Sequence, residues 1–324
     1  MQFGLLTAIL DGWGFEEMVD TVADLGFSCM EVACWPHGSA ERRYAGVSHI
    51  DCARVCADPA YADYVISYIC TRNLHISALA FYPNTMDPDP GKRAANVAHL
   101  KTLICAAEKL GVNMVTTFVG RDQYKTVEEN LALFDTVWPE IISLAETCHV
   151  KIAIENCPML FGRDQWPGGQ NLMCTPDIFR QVFARVSSPY FGLNFDPSHF
   201  VWQELDYIQA IYEFRDRIFH VHLKDIKLYP EKRRVCGTMA YPLEYMSPKL
   251  PGLGDVNWSA FLSALYDIGY NGSVVLEIED KAFESSRARV LDAIRLSQRY
   301  IRQFLAPSTE NGCSAPAFIT EKGS

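Results

Sequence analysis

The sequence predicts an α/β fold of the (β/α)₈ TIM-barrel class, and three observations carry that expectation. Short runs rich in Val, Ile, Phe and Leu alternate with longer stretches of helical period, the pattern of parallel strands joined by crossover helices. Gly26, Gly111 and Gly269 each stand after a helical run and before a strand, where a left-handed helix terminus belongs. Some connections that follow strands are far longer than those that precede them, as on the catalytic face of a barrel.

In chain order, the first strand falls at 3–7 and its helix at 15–26, ended by Gly26. The second strand, 29–33, opens a long connection at 34–57 before a helix at 58–73. Strands at 76–81 and 114–118 are followed by helices at 91–111 and 126–149. Strand 151–155 leads through the long connection 156–174 to a helix at 175–187. Its opening Thr175-Pro176-Asp177 supplies a capping hydroxyl, a proline suited to the first helical position and an acid at the positive end. Strand 191–195 precedes a helix at 204–215. Strand 218–222 opens the 223–256 connection, rich in Pro, Gly and Tyr and long enough for a lid or a partner-docking loop, before a helix at 257–269. The last unit is a strand at 273–278 and a helix at 285–304. Residues 1–304 are therefore expected to form one domain, and 305–324, which lack periodicity, a flexible tail.

With 49% hydrophobic and 21% charged residues, the 324-residue chain can bury a sizeable core without disulfides or a membrane. A formal charge of −10 argues against a nucleic-acid partner, because neutralising phosphates takes clustered Lys and Arg. The compact basic run Lys232-Arg233-Arg234 follows Glu231 and reads as a solvated loop face. Eleven cysteines, an odd number without regular spacing, fit a reducing cytoplasm better than a disulfide framework. His49, Cys52 and Cys56 lack a second Cys/His pair and read as loop and helix-start residues rather than a zinc cluster. The N-terminus has no basic stretch before Asp11, and no run reaches the roughly 18 apolar residues of a span, so neither a signal peptide nor a membrane segment is expected.

Four acid or imidazole side chains fall at the C-terminal ends of consecutive strands: Glu155 in KIAIEN, Asp196 in GLNFDPSH, His222 in FHVHLKD and Glu277 in VVLEIED. In a barrel these would converge on one side of the mouth as a pocket of three carboxylates and one imidazole. Such charge in a partly dry place is costly unless a cation neutralises it. The donor set suits one divalent metal, Mn²⁺ first, with Mg²⁺, Co²⁺ and Zn²⁺ as alternatives. Asp196 has a plainer reading as a cap for Pro197-Ser198-His199, and His220 reads as a hydrogen-bonded core residue one layer deeper. Glu31, Tyr82, Asn84, Thr117, Arg121 and Asn156 stand at or just beyond strand ends as candidate substrate contacts, with Arg121 able to meet a phosphate or carboxylate or else a nearby Asp122. Trp13, Trp35, Tyr82, Trp166, Tyr241 and Tyr245 suit a larger glycoside or aglycone, or ordinary loop packing.

The motifs IENCP, FDPSH, HVHLKD, PGLGDVNW and LEIED, with FGLLTA, EVACWP, RRYAGVSHID, ALAFYPN and TFVGRD, resemble the xylose-isomerase-like TIM-barrel superfamily over about residues 1–304. The resemblance is to its bacterial sugar phosphate isomerase and epimerase-type members. It implies a metal bound by Glu155, Asp196, His222 and Glu277, with Glu155 and Glu277 doubling as acid and base and His199 as a second histidine near substrate. Superfamily epimerases acting on free ketohexoses place an Arg several residues after the matching histidine. Here His222 is followed by LKDIKL, which turns the expectation away from a ketohexose and brings Lys224 and Asp225 forward as substrate contacts.

The chemistry so implied is removal of a proton beside a sugar carbonyl, followed either by its return, as in an isomerase or epimerase, or by expulsion of a β leaving group, as in a lyase. Relatives of the second kind include keto-inositol dehydratases and enzymes cleaving 3-oxo-glycosides, among them C-glycoside deglycosidase catalytic subunits that pair with a smaller subunit. The expected partner is thus a small-molecule sugar or glycoside, with the long loops free to meet a second copy or a small accessory subunit. Abasic-site endonucleases share the barrel but carry extra metal ligands and a basic face, and a non-catalytic scaffold is the remaining alternative.

Overall fold

The computed structural model describes residues 1–36, 45–160 and 162–306. The strands are β1 (Gln2–Leu6), β2 (Cys29–Ala33), β3 (His75–Ala80), β4 (Met114–Thr117), β5 (Lys151–Glu155), β6 (Phe191–Phe195), β7 (Ile218–Leu223), β8 (Asp225–Leu228), β9 (Met246–Lys249) and β10 (Ser273–Leu276). Eight of them close a parallel barrel in the order β1-β10-β7-β6-β5-β4-β3-β2. All eight lie where the alternation of apolar runs places them, and Gly26, Gly111 and Gly269 take the left-handed φ of 75°, 67° and 69° that ends the preceding helix. Thr175 caps the helix Pro176–Phe183 by accepting from the Ile178 N–H.

The helix expected at 204–215 is shorter, Tyr207–Glu213, because Asp206 caps it by accepting from the Gln209 N–H. Two of the long connections contain structure that period analysis passes over. The 34–57 connection holds the helix Cys52–Ala57, started by the Asp51 carboxylate, while residues 37–44 lie outside the described residues. The 223–256 connection is an antiparallel hairpin, β8 with β9, that brackets the helix Pro230–Cys236. A four-residue strand carrying Pro248 has no legible alternation, and only an edge strand tolerates that proline. Of the expected tail, Leu305 and Ala306 are described and 307–324 lie outside the described residues. Among the described residues no helix is long and apolar enough to cross a membrane.

The outward strand faces pack under the helices, with Phe134, Trp138 and Phe191 meeting ring to ring. Inside the barrel, the floor is apolar, built from Ala78, Met114 and Ala153 with Phe219 against them. Above it the interior becomes polar, and every such group needs a partner. His220, as expected, is held in the core, Nδ1 to Asn194 Oδ1 at 3.0 Å and Nε2 to Ser77 Oγ at 3.1 Å, and burial lowers its pKa to about 4. His49 is likewise a core histidine, tied to Thr7 Oγ1 and the Leu10 carbonyl.

Candidate metal centre and substrate cavity

At the C-terminal rim of the barrel, Glu155 ends β5, Asp196 follows β6, His222 lies in β7 and Glu277 follows β10. Each offers a donor atom within 4.8 Å of the others, and none of the four is solvent-facing except for an edge of Glu277. Asp196 Oδ1 accepts from the Ser198 N–H at 2.8 Å at the start of the short helical turn Ser198–Val201, which leaves Oδ2 facing the cluster. Asn156 clamps the Asp196 backbone from both sides, donating to its carbonyl at 2.9 Å and accepting from its N–H at 2.8 Å.

The fit of this set to a cation can be read from what the protein leaves unsatisfied. Asp196 Oδ2, His222 Nδ1 and Glu277 Oε2 are buried and have no hydrogen-bond partner. His222 Nδ1 is 2.9 Å from Glu277 Oε2 without hydrogen-bond alignment, and 3.8 Å from Glu155 Oε1. Burial opposes ionisation of Glu155, but the imidazoles of His199 and His222 beside it outweigh that and hold the carboxyl well below its usual range. Burial, with the charge of Glu155 beside it, pushes the Glu277 carboxyl up against the pull of Lys224. A divalent cation answers each of these demands at once.

The opposite nitrogen of His222 shows why the ring is aimed correctly. Nε2 lies 2.7 Å from Glu31 Oε2, the carboxylate–histidine pairing that fixes tautomer and orientation in metal sites. Glu31 is held in turn by the hydroxyls of Thr116 (2.6 Å) and Tyr82, and although burial opposes its charge the two histidines bring its pKa down to about 2. Asn194 completes the ring by donating to the Tyr82 oxygen at 3.0 Å. Both Glu31 and Asn194 sit at register shifts in their strand pairings, irregularities that re-aim side chains. Glu31→Gln is expected to fold normally and to weaken metal binding about 10- to 100-fold, the usual effect of losing an outer carboxylate, measured by titration with Mn²⁺.

Beside the cluster opens a cavity of about 630 Å³, lined by Glu155, His199, Lys224 and Glu277, by further charged residues including Lys249, Glu279 and Asp280, and by apolar side chains, among them Trp35, Tyr82, Phe118, Leu160 and Met246. His199 has both ring nitrogens buried and unpartnered, with Nε2 3.2 Å from Asp196 Oδ2 and 3.5 Å from Glu155 Oε1. Lys224 reaches Glu277 at 3.1 Å and Glu279 at 2.7 Å; burial works against its charge, but these carboxylates raise its pKa well above the usual value. Of the eight expected substrate contacts, Tyr82 and Lys224 line this cavity and Arg121 lines a second one of about 360 Å³ nearby.

The other five do not line either cavity and make contacts within the protein. Glu31 supports His222 and Asn156 supports Asp196, as described. Asn84 joins two loops, accepting from the Arg121 N–H and donating to its carbonyl, both at 2.8 Å, and a Cβ on Gly120 would lie 2.4 Å from its Oδ1. Thr117 is fully buried, and its hydroxyl lies 3.5 Å from the adjacent Phe118 carbonyl. Asp225 ties down the hairpin: its carboxylate accepts from the N–H groups of Ile226, Gly252, Gly254 and Val256 and from the Trp258 indole. A Cβ on Gly254 would meet Asp225 Oδ1 at 2.2 Å. Asp225→Ala strands these buried donors and is expected to cost about 3 kcal/mol, read from the midpoint of urea unfolding.

Sequence reasoning missed Thr116, Asn194 and Asn171, the last of which joins the loops after β4 and β5 by accepting from Val119 and Gly120 and donating to the carbonyls of Glu155 and Cys157. Only strand alternation could have flagged Thr116 and Asn194; nothing local marks Asn171.

The description "Xylose isomerase-like TIM barrel" defines the family whose model matches residues 19–303, and the chain belongs to that family. Among its relatives, the uncharacterized protein YfiH of Bacillus subtilis (strain 168) is 26% identical over 315 residues, spanning 86% of this chain and 93% of that one. An inosose dehydratase of Lactiplantibacillus plantarum is 26% identical over 127 residues, 39% of this chain and 41% of the relative, so this match spans less than half of the dehydratase. Two solved structures share the fold over 94% of this chain, each with a TM-score of 0.67: 3-keto-D-glucoside 4-epimerase, YcjR, from E. coli (16% identity, 99% of that chain) and an IOLI protein with a binding zinc atom (18% identity, 100% of that chain).

Proposed function

We propose that this protein is a divalent-metal-dependent enzyme that removes the proton next to the carbonyl of a keto-sugar and returns it, as an isomerase or epimerase. The observation that carries the reading is the buried meeting of Glu155, Asp196, His222 and Glu277, three of whose donor atoms have no hydrogen-bond partner, beside a substrate-sized cavity. The family membership and the likeness in fold to a 3-keto-D-glucoside 4-epimerase support it.

A metal held by these four residues would supply Lewis acidity at the substrate carbonyl, making the adjacent C–H acidic. The proton itself is the business of the chain's own carboxylates. Glu155 and Glu277 enter from strands separated by β6 and β7, so they address a bound carbon from different sides, one taking the proton and the other returning it. The Lys224 ammonium, 3.1 Å from Glu277 Oε1, orients that carboxylate and stands ready to stabilise negative charge developing on a substrate oxygen. Trp35, Tyr82 and Phe118 wall the cavity with rings that keep water from the reacting carbon. Which metal occupies the site follows from the donors only as far as a hard or borderline ion, with Mn²⁺ first.

A second reading, elimination of a β leaving group such as an aglycone, is favoured by the cavity's size and its mainly apolar lining beyond the polar wall. Product analysis separates the two. Metal-loaded protein given ketoses, sugar phosphates and 3-oxo-glycosides yields an epimer or isomer under the first reading, and a free aglycone with an unsaturated keto-sugar under the second. Turnover of none of these classes would overturn both.

A further inference from the structure

We infer that Cys157, His199 and Glu155 form a second site, one for a thiophilic divalent ion such as Zn²⁺, that shares Glu155 with the four-ligand centre. Each of the three offers a donor atom within 4.8 Å of the others: the Cys157 sulfur, a His199 ring nitrogen and a Glu155 carboxylate oxygen. All three residues also line the larger cavity, so an ion has a path to them. Cys157 stands two residues beyond Glu155 in the loop after β5, and His199 three beyond Asp196 on the turn Ser198–Val201. The segments that bring Glu155 and Asp196 to the first centre thus bring a thiol and an imidazole to the second.

These donors are held in place, and the imidazole has no other use for its nitrogens. Both ring nitrogens of His199 are buried without a hydrogen-bond partner, in a side chain about nine-tenths hidden, and Nε2 is 3.5 Å from Glu155 Oε1. Asn171 donates to the carbonyls of Glu155 at 2.9 Å and Cys157 at 2.7 Å, and Gln203 to the carbonyl of His199 at 2.7 Å. All three ligand-bearing backbones are therefore fixed in advance of an ion. The Met159 N–H points at Cys157 Sγ from 3.4 Å, an outer hydrogen bond of the sort that orients a metal's ligands.

Charge and softness identify the ion. Glu155, Asp196 and Glu277 bring three negative charges to the rim, one more than a single divalent ion cancels, while the Lys224 charge is matched by Glu279. Coordination takes the proton from the Cys157 thiol, and the thiolate then supplies the fourth charge that two divalent ions balance. One thiolate, one imidazole and one carboxylate, with a fourth position open toward the cavity, suit Zn²⁺. Mn²⁺ favours oxygen donors and is confined to the four-ligand centre. The site goes beyond the keto-sugar reading and does not depend on it.

Equilibrium dialysis of the full chain, stripped with chelator and returned to Mn²⁺ or Zn²⁺, counts the ions. One Mn²⁺ and two Zn²⁺ per chain are expected. Cys157→Ser should keep the single Mn²⁺ and weaken the second Zn²⁺ by more than about 100-fold, since loss of a direct ligand exceeds that of an outer partner. Co²⁺ in place of Zn²⁺ should give a thiolate-to-metal charge-transfer band in the near ultraviolet, absent from Cys157→Ser. Should that variant fail to fold, iodoacetamide labelling of the unaltered chain decides, read by mass spectrometry of the peptide that carries Cys157. Zn²⁺ is expected to slow its alkylation severalfold and Mn²⁺ to leave it unchanged. Absence of the cobalt–sulfur band, a second Zn²⁺ that survives in folded Cys157→Ser, or a Cys157 alkylated as fast with Zn²⁺ as without it would overturn the site. Failure of Mn²⁺ to bind would overturn the four-ligand centre instead, and because the cobalt–sulfur band reports on Cys157 alone, the two failures are told apart.

Discussion

His222→Ala is expected to abolish stoichiometric metal binding and with it all turnover, while leaving the barrel folded. The imidazole is the one nitrogen donor in a cluster otherwise made of carboxylates, and it is the donor whose orientation the interior of the barrel is built to hold, through Glu31, Thr116, Tyr82 and Asn194. Its removal leaves Glu155, Asp196 and Glu277 facing one another with one donor fewer. Loss of a direct ligand exceeds the 10- to 100-fold effect of an outer partner, so affinity should fall by more than about 100-fold. Equilibrium dialysis followed by metal analysis reads this directly, and retained far-ultraviolet circular dichroism shows that the fold persists. An unchanged metal content would place the ion elsewhere.

Glu277→Gln should produce the other large effect. The amide keeps a neutral oxygen for the metal and still accepts from Lys224, 3.1 Å from Glu277 Oε1, yet it cannot take or give a proton. The rate of proton transfer should therefore drop on the order of 10³-fold, within the range for losing a positioned acid or base, with a smaller change in substrate affinity. A fall in affinity alone, with the rate intact, would leave Glu277 as a ligand only.

Why these four residues could be found without a structure, and their supports could not, has a physical explanation. In a parallel barrel every strand ends at the same rim, so an acid or imidazole at a strand's C-terminal end is placed by topology alone; Glu155, Asp196, His222 and Glu277 are of that kind. Glu31 also ends near the rim, but a register shift beside Met30 turns it into the interior toward His222, and no linear pattern encodes that irregularity. Asp225 follows His222 closely and reads as a cavity residue, yet four of its five donors are supplied by residues more than 25 positions away, which sequence spacing cannot reveal. Arg121 could be read as an anion-binding group or an ion-pair partner of Asp122, and only the packing of four loops shows which neighbours it has.

The proposed chemistry turns on exchange of a carbon-bound proton beside a carbonyl at the cluster of Glu155, Asp196, His222 and Glu277. Proton NMR of the metal-loaded protein in D₂O, given keto-sugars and 3-oxo-glycosides with Glu277→Gln as the control, measures that step whether or not a product accumulates. Deuterium is expected to enter at the carbon next to the carbonyl, dependent on metal and on Glu277. Metal-loaded protein that leaves that position fully protonated with every keto-sugar class would contradict it.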